Sequence, residues 1–321
     1  MCRTHSSNHS SVFLFVFVGL CLIGLLPHQV FASTSPSVPA TNGLQLASVS
    51  AAVLDTRTGD LVYDKNADTV MPIASLSKLM SAMVLLDGRQ PLDEVLTIKR
   101  LHSNDGKNSY SRLRPGSRMK RQDLLLLSLM SSENLATYNL AEYYPGGRPA
   151  FIQAMNAKAR QLEMKQTRFN DAAGLSVANV STARDVVRMV IAASGYPLIR
   201  EYSTSRQHTA SFRKPSYRLG YSNTNRLVSS SQWDIALSKT GYLNEAGRCL
   251  ALLARIDGRN LVIVLLDSFG KQSHIGDAGR VRRWIETGTS GKVATAALRY
   301  QAQKARQLGI VPVAKAAPRK P

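Results

Sequence analysis

Residues 72–80 read Pro72-Ile-Ala-Ser-Leu-Ser-Lys-Leu-Met80, and they open an apolar segment that ends at Gly88. The apolar residues recur at helical spacing, which predicts a buried helix that begins near Ser75. Lys78 follows Ser75 by three residues, so both side chains lie on one face, one helical turn apart. Serine is a weak nucleophile until a nearby base accepts its proton. The stretch therefore predicts a helix that carries a nucleophile and its base.

The S-x-x-K spacing occurs at two other places, which serve as internal controls. These are Ser211-Phe-Arg-Lys214 and Ser268-Phe-Gly-Lys271. The first is followed directly by Pro215, and a residue before proline disfavours the helical conformation. The second ends an apolar strand, and its glycine disfavours a helix at that point. Of the three copies, the one at Ser75 alone opens a long apolar helix.

A second motif, Ser132-Glu-Asn134, lies in a short link between two predicted helices, at 124–130 and 135–144. Such links can direct polar side chains into a cleft. Ser132 is predicted to relay a proton to a leaving amine, and Asn134 is predicted to hold a substrate amide.

A third motif, Lys239-Thr-Gly241, lies on a predicted strand. Lys239 and Thr240 are predicted to bind a substrate carboxylate through a cation and a hydroxyl. Gly241 has no side chain, so a peptide can approach the strand edge there. The backbone N–H groups of Ser75 and Tyr242 are predicted to form an oxyanion hole. Burial and a neighbouring cation such as Lys239 would lower the pKa of a lysine base.

The order of elements predicts an α+β fold. Strand-like segments come first, helical segments follow, and strands return after residue 230. This order implies an antiparallel sheet built from both chain ends and flanked by helices, with an inserted all-α lobe at about 88–200. The boundary between lobe and sheet is a natural place for a cleft. The predicted strands are 46–55, 61–63, 235–242, 248–256 and 260–266, before a final helix at 276–287.

The N-terminus predicts secretion. An apolar core at 12–26 precedes the small-residue triplet Val30-Phe31-Ala32. This pattern is typical of a signal peptide, residues 1–32, cut after Ala32, and an uncleaved anchor is the alternative. Residues 33–44 form a predicted linker. The predicted location is the periplasm.

The chain is strongly basic, with 41 Lys and Arg residues against 21 acids and a net charge of +20. This balance favours polyanionic partners. Residues 288–321 contain no acid and are predicted to be a solvated basic tail. A weak contact of this tail with an anionic wall or membrane surface is the functional alternative.

Taken together, the three motifs resemble those of low-molecular-mass penicillin-binding proteins, the D-alanyl-D-alanine carboxypeptidases and endopeptidases. Residues 169–176 and Lys239-Thr-Gly-Tyr-Leu-Asn-Glu-Ala-Gly-Arg-Cys-Leu250 extend the likeness, which is nearest to the penicillin-binding protein 7 group of endopeptidases. The resemblance implies a β-lactamase/transpeptidase-like fold for a peptidase domain at 45–287. It also implies a Ser75 acyl-enzyme on peptidoglycan stem peptides, trapping by β-lactam inhibitors, and no cofactor.

Several alternatives remain at this stage. A class A-like β-lactamase shares the motifs, but its E-x-x-L-N loop is missing between Asn134 and Lys239. A non-catalytic envelope-binding protein is the second alternative. Nucleic acid is disfavoured by the signal peptide. No metal is expected, because the mature histidines (His102, His208 and His274) have no close ligand partner in sequence. The motifs leave endopeptidase or carboxypeptidase preference open.

Overall fold

The computed structural model describes residues 43–100 and 111–310. The predicted signal peptide, most of the predicted linker and the tail beyond residue 310 lie outside these residues. Among the residues described, no helix is long and apolar enough to cross a membrane.

The described residues contain both strands and helices. The strands are β1 (Ser48–Asp55), β2 (Leu61–Lys65), β3 (Met71–Pro72), β4 (Val95–Thr97), β5 (Arg118–Lys120), β6 (Val180–Ser181), β7 (Gln207–Phe212), β8 (Tyr217–Ser222), β9 (Asp234–Leu243), β10 (Gly247–Ile256) and β11 (Arg259–Ser268). The helices are α1 (Ser77–Asp87), α2 (Arg121–Met130), α3 (Asn134–Glu142), α4 (Gly147–Gln161), α5 (Ala183–Ser194), α6 (Pro197–Thr204), α7 (Ser273–Thr287) and α8 (Thr295–Gln307). Two short 3-10 helices span Ala74–Leu76 and Arg226–Ser229.

The main sheet joins the two ends of the chain, as the sequence predicts. Its strand order is β2-β1-β11-β10-β9, and the neighbouring strands are antiparallel. The first strand pairs with the last, from Ser48 opposite Ser268 to Asp55 opposite Leu261. The Asp257-Gly258 turn connects β10 and β11 with both residues at positive φ, which is the geometry of a tight hairpin turn.

Helices cover both faces of this sheet. Side chains of β10 alternate between them, so Ala251 faces the helices inserted between β2 and β9, whereas Leu250 and Leu252 face α7. Strands buried on both faces read as continuous apolar runs, which explains the sequence of β10 and β11. Helix α1 is the most deeply buried helix: Leu79, Met80 and Met83 are fully inaccessible to solvent. Burying each such side chain contributes about 1.5–3 kcal/mol.

Some features differ from the sequence-based prediction. The lobe predicted to be all-α at about 88–200 also contains the short strands β4, β5 and β6. The β7–β8 hairpin is unpredicted, since along β7 only Ala210 and Phe212 are buried and the alternation is weak. The segment predicted to be a solvated tail contains α8. Ala297 of this helix is buried, and the Tyr300 hydroxyl donates to Asp267 at 2.6 Å. These few anchoring contacts were not predicted, because basic residues dominate the sequence of this segment. The domain limits at 45 and 287 and the lobe limits stay predictions.

Candidate active site

Ser75 lies in the 3-10 helix that leads into α1, rather than in the α-helix itself. Its Oγ is 2.9 Å from the Nζ of Lys78, one turn further along. The preceding residue, Ala74, has φ +46°, a conformation that is unfavourable for a residue with a Cβ. Local strain of this kind concentrates at functional sites, because surrounding packing must hold it in place.

Three groups surround the amine of Lys78. Besides the Ser75 hydroxyl, these are the Oδ1 of Asn134 at 2.8 Å and the carbonyl of Ala173 at 2.5 Å. A charged ammonium would donate to all three. A neutral amine has two N–H donors for the two carbonyl oxygens, and its lone pair then faces the hydroxyl, the only one of the three groups that can donate. The geometry therefore suits a base that accepts the serine proton.

The electrostatic environment favours that neutral form. Burial lowers the pKa of Lys78 to about 7, while the negative charges of Asp171 and Glu133 oppose the shift. A base whose pKa lies near neutral pH combines a sizeable unprotonated fraction with useful basicity. Burial also raises the pKa of Glu133, the middle residue of the S-x-N motif. Its Oε1 accepts the N–H of Leu135 and so caps α3.

Strand β9 brings the K-T-G motif against the nucleophile. An added Cβ at Gly241 would lie 3.1 Å from the backbone nitrogen of Ser75, so any side chain would crowd this contact. Lys239 is fully buried, and burial together with the charge of Lys78 lowers its pKa well below the usual value. A carboxylate placed beside Lys239 would therefore restore its charged state.

The link between α2 and α3 joins the same cluster. Ser132 sits in this link with φ +59°, an unfavourable conformation for a residue with a Cβ, two residues before the Asn134 that contacts Lys78. The backbone N–H of Thr224 donates to the carbonyl of Met130 at 3.1 Å, and its hydroxyl lies 2.6 Å from that of Thr240. Thr224 thus ties the end of α2 to β9.

Sequence reasoning missed the residues that support the Ala173 carbonyl. Asp171 accepts three short backbone hydrogen bonds, each 2.6 Å, from Ala173, Gly174 and Ser176. Asn179 donates to the Ser77 hydroxyl at 3.0 Å and fastens this turn to α1. An aspartate three residues before a glycine is a turn signal, but the sequence does not indicate which element the turn contacts.

The structure brings most of the predicted site residues together. Ser75, Lys78 and Asn134 are in direct contact, and Lys239 and Gly241 adjoin them. The hydroxyl of Thr240 is turned toward Thr224, and Ser132 lies in the adjacent link. Tyr242 stands at the outer edge, with 46% of its surface exposed. The catalytic and binding roles assigned to these residues stay predictions.

A serine hydroxyl 2.9 Å from a buried lysine of lowered pKa, with a second buried lysine nearby, is an arrangement that suits acyl transfer to serine. The family model described as D-alanyl-D-alanine carboxypeptidase, peptidase S11, matches residues 33–270. The chain belongs to this family of peptidases, which confirms the resemblance predicted from the motifs.

Relatives and solved structures agree with this assignment. The chain is 48% identical over 293 residues to a protein of Pseudomonas aeruginosa named D-alanyl-D-alanine endopeptidase, covering 90% of this chain and 94% of that protein. A mutant of the Streptomyces K15 DD-transpeptidase is similar in structure, with TM-score 0.68 and 29% identity over 75% of this chain and 98% of that one. Penicillin-binding protein D2 from Listeria monocytogenes, in its cefotaxime-bound form, gives TM-score 0.65 and 30% identity over 74% and 96%. The predicted α+β, transpeptidase-like fold is confirmed.

Proposed function

We propose that this serine DD-peptidase is a D-alanyl-D-alanine endopeptidase that cuts cross-links in peptidoglycan through a Ser75 acyl-enzyme. The observation that carries the proposal is the buried Lys78 amine, with a pKa near 7, 2.9 Å from the Ser75 hydroxyl. The endopeptidase preference is supported by the name of the 48% identical relative.

In the first step, the Ser75 Oγ attacks the D-alanyl carbonyl carbon and its proton passes to the Lys78 Nζ. The backbone N–H groups of Ser75 and Tyr242 stabilise the negative oxygen of the tetrahedral intermediate. The C–N bond then breaks, and Ser132 relays a proton to the leaving amine. This leaves an ester on Ser75.

In the second step, water attacks the ester, Lys78 accepts the water proton, and the D-alanyl carboxylate departs as the Ser75 hydroxyl re-forms. Asn134 holds the amide on the acyl side, while Lys239 and Thr240 bind the carboxylate beyond the scissile bond. That carboxylate belongs to a cross-linking diamino acid in an endopeptidase substrate.

The same site accounts for the proposed partners. β-Lactams carry a carboxylate next to a strained amide, so they fit the Ser75 and Lys239 groups, and a family relative is solved with cefotaxime bound. We place the protein in the periplasm on the basis of the predicted signal peptide at 1–32.

Digestion of purified cross-linked muropeptides tests the proposal. The wild-type protein is expected to consume dimeric muropeptides faster than it trims monomeric pentapeptide, and Ser75→Ala abolishes both activities and labelling by fluorescent penicillin. Cleavage by Ser75→Ala at the wild-type rate would exclude the acyl-enzyme. Fast turnover of a chromogenic cephalosporin, rather than stoichiometric acylation, would favour the β-lactamase alternative.

A further inference from the structure

A second cleft, of about 290 Å³, lies beside the carboxyl end of β9, and its lining combines aromatic rings with cations. The residues that matter here are Tyr242, Asn244, Arg248, Phe269, Lys271 and Tyr300. Among the described residues that line it, none is acidic. The cleft therefore presents positive charge and exposed rings side by side.

The aromatic side chains of the cleft are held by neighbouring groups, and two of them remain partly exposed to solvent. Phe269 is 42% exposed and Tyr242 46%, both high for large apolar side chains. The rings of Phe269 and Tyr300 lie 5.2 Å apart, and the guanidinium of Arg248 covers the Tyr242 ring at 4.1 Å. Neighbouring exposed rings beside a catalytic strand are typical of a surface that a ligand covers.

The acid beneath this cleft, Asp267, is paired with α8, and the exposed Glu245 lies in the β9–β10 turn between the lining residues Asn244 and Gly247. Asp267 is buried, accepts the Tyr300 hydroxyl at 2.6 Å and lies 3.5 Å from the Nζ of Lys304. The segment that the sequence predicts to be a solvated tail thus supplies one wall of the cleft and removes the charge that would repel an anion. Lys271 is exposed and has no ion pair within residues 43–100 and 111–310.

The direction of the proposed substrate along β9 decides which part of it meets the cleft. β9 is an edge strand of the main sheet. The scissile carbonyl belongs at Tyr242 and the downstream carboxylate at Lys239, so the peptide runs antiparallel to β9. From Gly241 to the end of β9 the strand rises about 7 Å. The residues before the scissile D-alanine therefore extend toward the cleft.

We propose that this cleft binds the acyl-side segment of an acidic stem peptide, in the residues that precede the scissile D-alanine. Lys271 and Arg248 contact its carboxylates, and Phe269 supports its aliphatic parts. This inference rests on the proposed function, because the peptide direction follows from the roles given to Lys239 and Tyr242.

Three synthetic substrates with the same D-alanyl bond test the inference. The first is an acetylated short peptide, the second adds two acidic residues on the acyl side, and the third carries the same extension with its carboxylates amidated. The wild-type protein is expected to cleave the acidic substrate with the lowest KM. Equal KM values for the acidic and amidated substrates would overturn the inference.

Lys271→Gln is expected to raise the KM of the acidic substrate by about two- to fivefold, since one exposed ion pair is lost. Its kcat and its use of the short substrate stay unchanged. The matched control is Arg57→Gln. Arg57 is an exposed cation just beyond Asp55, at the end of β1 that is remote from the cleft. This variant is expected to leave all three KM values unchanged. An equal change in both variants would mean that net charge alone acts, and would overturn the inference.

Phe269→Ala provides a second measurement, because an exposed ring can be removed without opening the core. It is expected to weaken binding of both extended substrates and to spare the short one. A similar loss for all three substrates would overturn the inference. Failure of the wild-type protein to cleave the short substrate, or to be acylated by penicillin, would instead count against the proposed function itself.

Discussion

Gly174 is the point at which the supporting turn touches the nucleophile, so Gly174→Ala should inactivate the site without altering any catalytic group. Its φ is +77°, and a Cβ placed there would lie 2.0 Å from the carbonyl oxygen of Ala74 and 2.9 Å from the nitrogen of Ser75. Both contacts are with backbone, so neither can be relieved by a rotamer change.

The size of the effect follows from this overlap. Real Cβ contacts are essentially never shorter than 3.0 Å, so the Ala74 carbonyl must move by about 1 Å, which carries Ser75 away from Lys78. A misplacement of about 1 Å at a reacting centre costs about 100-fold in rate. A Cβ at positive φ adds about 1–2 kcal/mol of strain.

The assay is the second-order rate of acylation by fluorescent penicillin, measured beside thermal unfolding. Gly258→Ala is the matched control, since Gly258 has φ +71° and no atom within 4 Å of an added Cβ. Both variants should lose a few degrees of Tm, at about 2–4 °C per kcal/mol, but only Gly174→Ala should lose about 100-fold in acylation. Acylation of folded Gly174→Ala within threefold of wild type would refute the reasoning.

Three other substitutions probe the same structure. In wild type, the acylation rate should rise with pH through an apparent pKa near 7, because Lys78 loses its proton there. Glu133→Gln should move this rise to lower pH, because the charge of Glu133 raises the pKa of Lys78. An unchanged pH profile in this variant would contradict the coupling. Thr224→Val removes the hydroxyl that lies 2.6 Å from the hydroxyl of Thr240, a residue proposed to bind the substrate carboxylate. The kcat/KM for a carboxylate-bearing substrate should therefore fall about fivefold, mainly through a higher KM. An unchanged KM would show that Thr240 binds the carboxylate without this partner. Asp277→Ala leaves two backbone N–H groups of the β1 segment without their buried acceptor. At about 1–3 kcal/mol for each, urea unfolding should show a loss of about 2–6 kcal/mol, with normal acylation in the folded fraction; a loss below 1 kcal/mol would contradict this.

Much of the fold could be predicted because the periodicity of the sequence is strong where it matters. The apolar run of α1 and the continuous apolar runs of β10 and β11 are local patterns, and burial in the structure matches them. The cap of α5 is equally local, because the Thr182 hydroxyl accepts the N–H of Asp185 three residues later. The β7–β8 hairpin and α8 were missed, because few of their residues are buried.

The residues of the candidate site likewise fall into those that local sequence could predict and those that it could not. Ser75 and Lys78 could be paired from their spacing and the long apolar helix that follows, since three residues make about one helical turn and neither of the other two S-x-x-K copies opens such a helix. Asn179 and Thr224 could not be found, because each acts through a contact with a distant segment and carries no motif of its own. Asp171 lies within residues 169–176, which extend the family likeness, but the sequence does not indicate that its hydrogen bonds support the Ala173 turn.

The sequence by itself determined the chemical groups of this site and the local elements that carry them, because helix and strand periodicity depend on near neighbours. Only the tertiary structure decided the protonation state of Lys78, the closeness of Gly241 to Ser75 and the cleft completed by α8. Each of these depends on burial and on contacts between segments up to about 170 residues apart, as between Ser75 and Gly241, and such contacts are set by packing of the whole domain rather than by spacing along the chain.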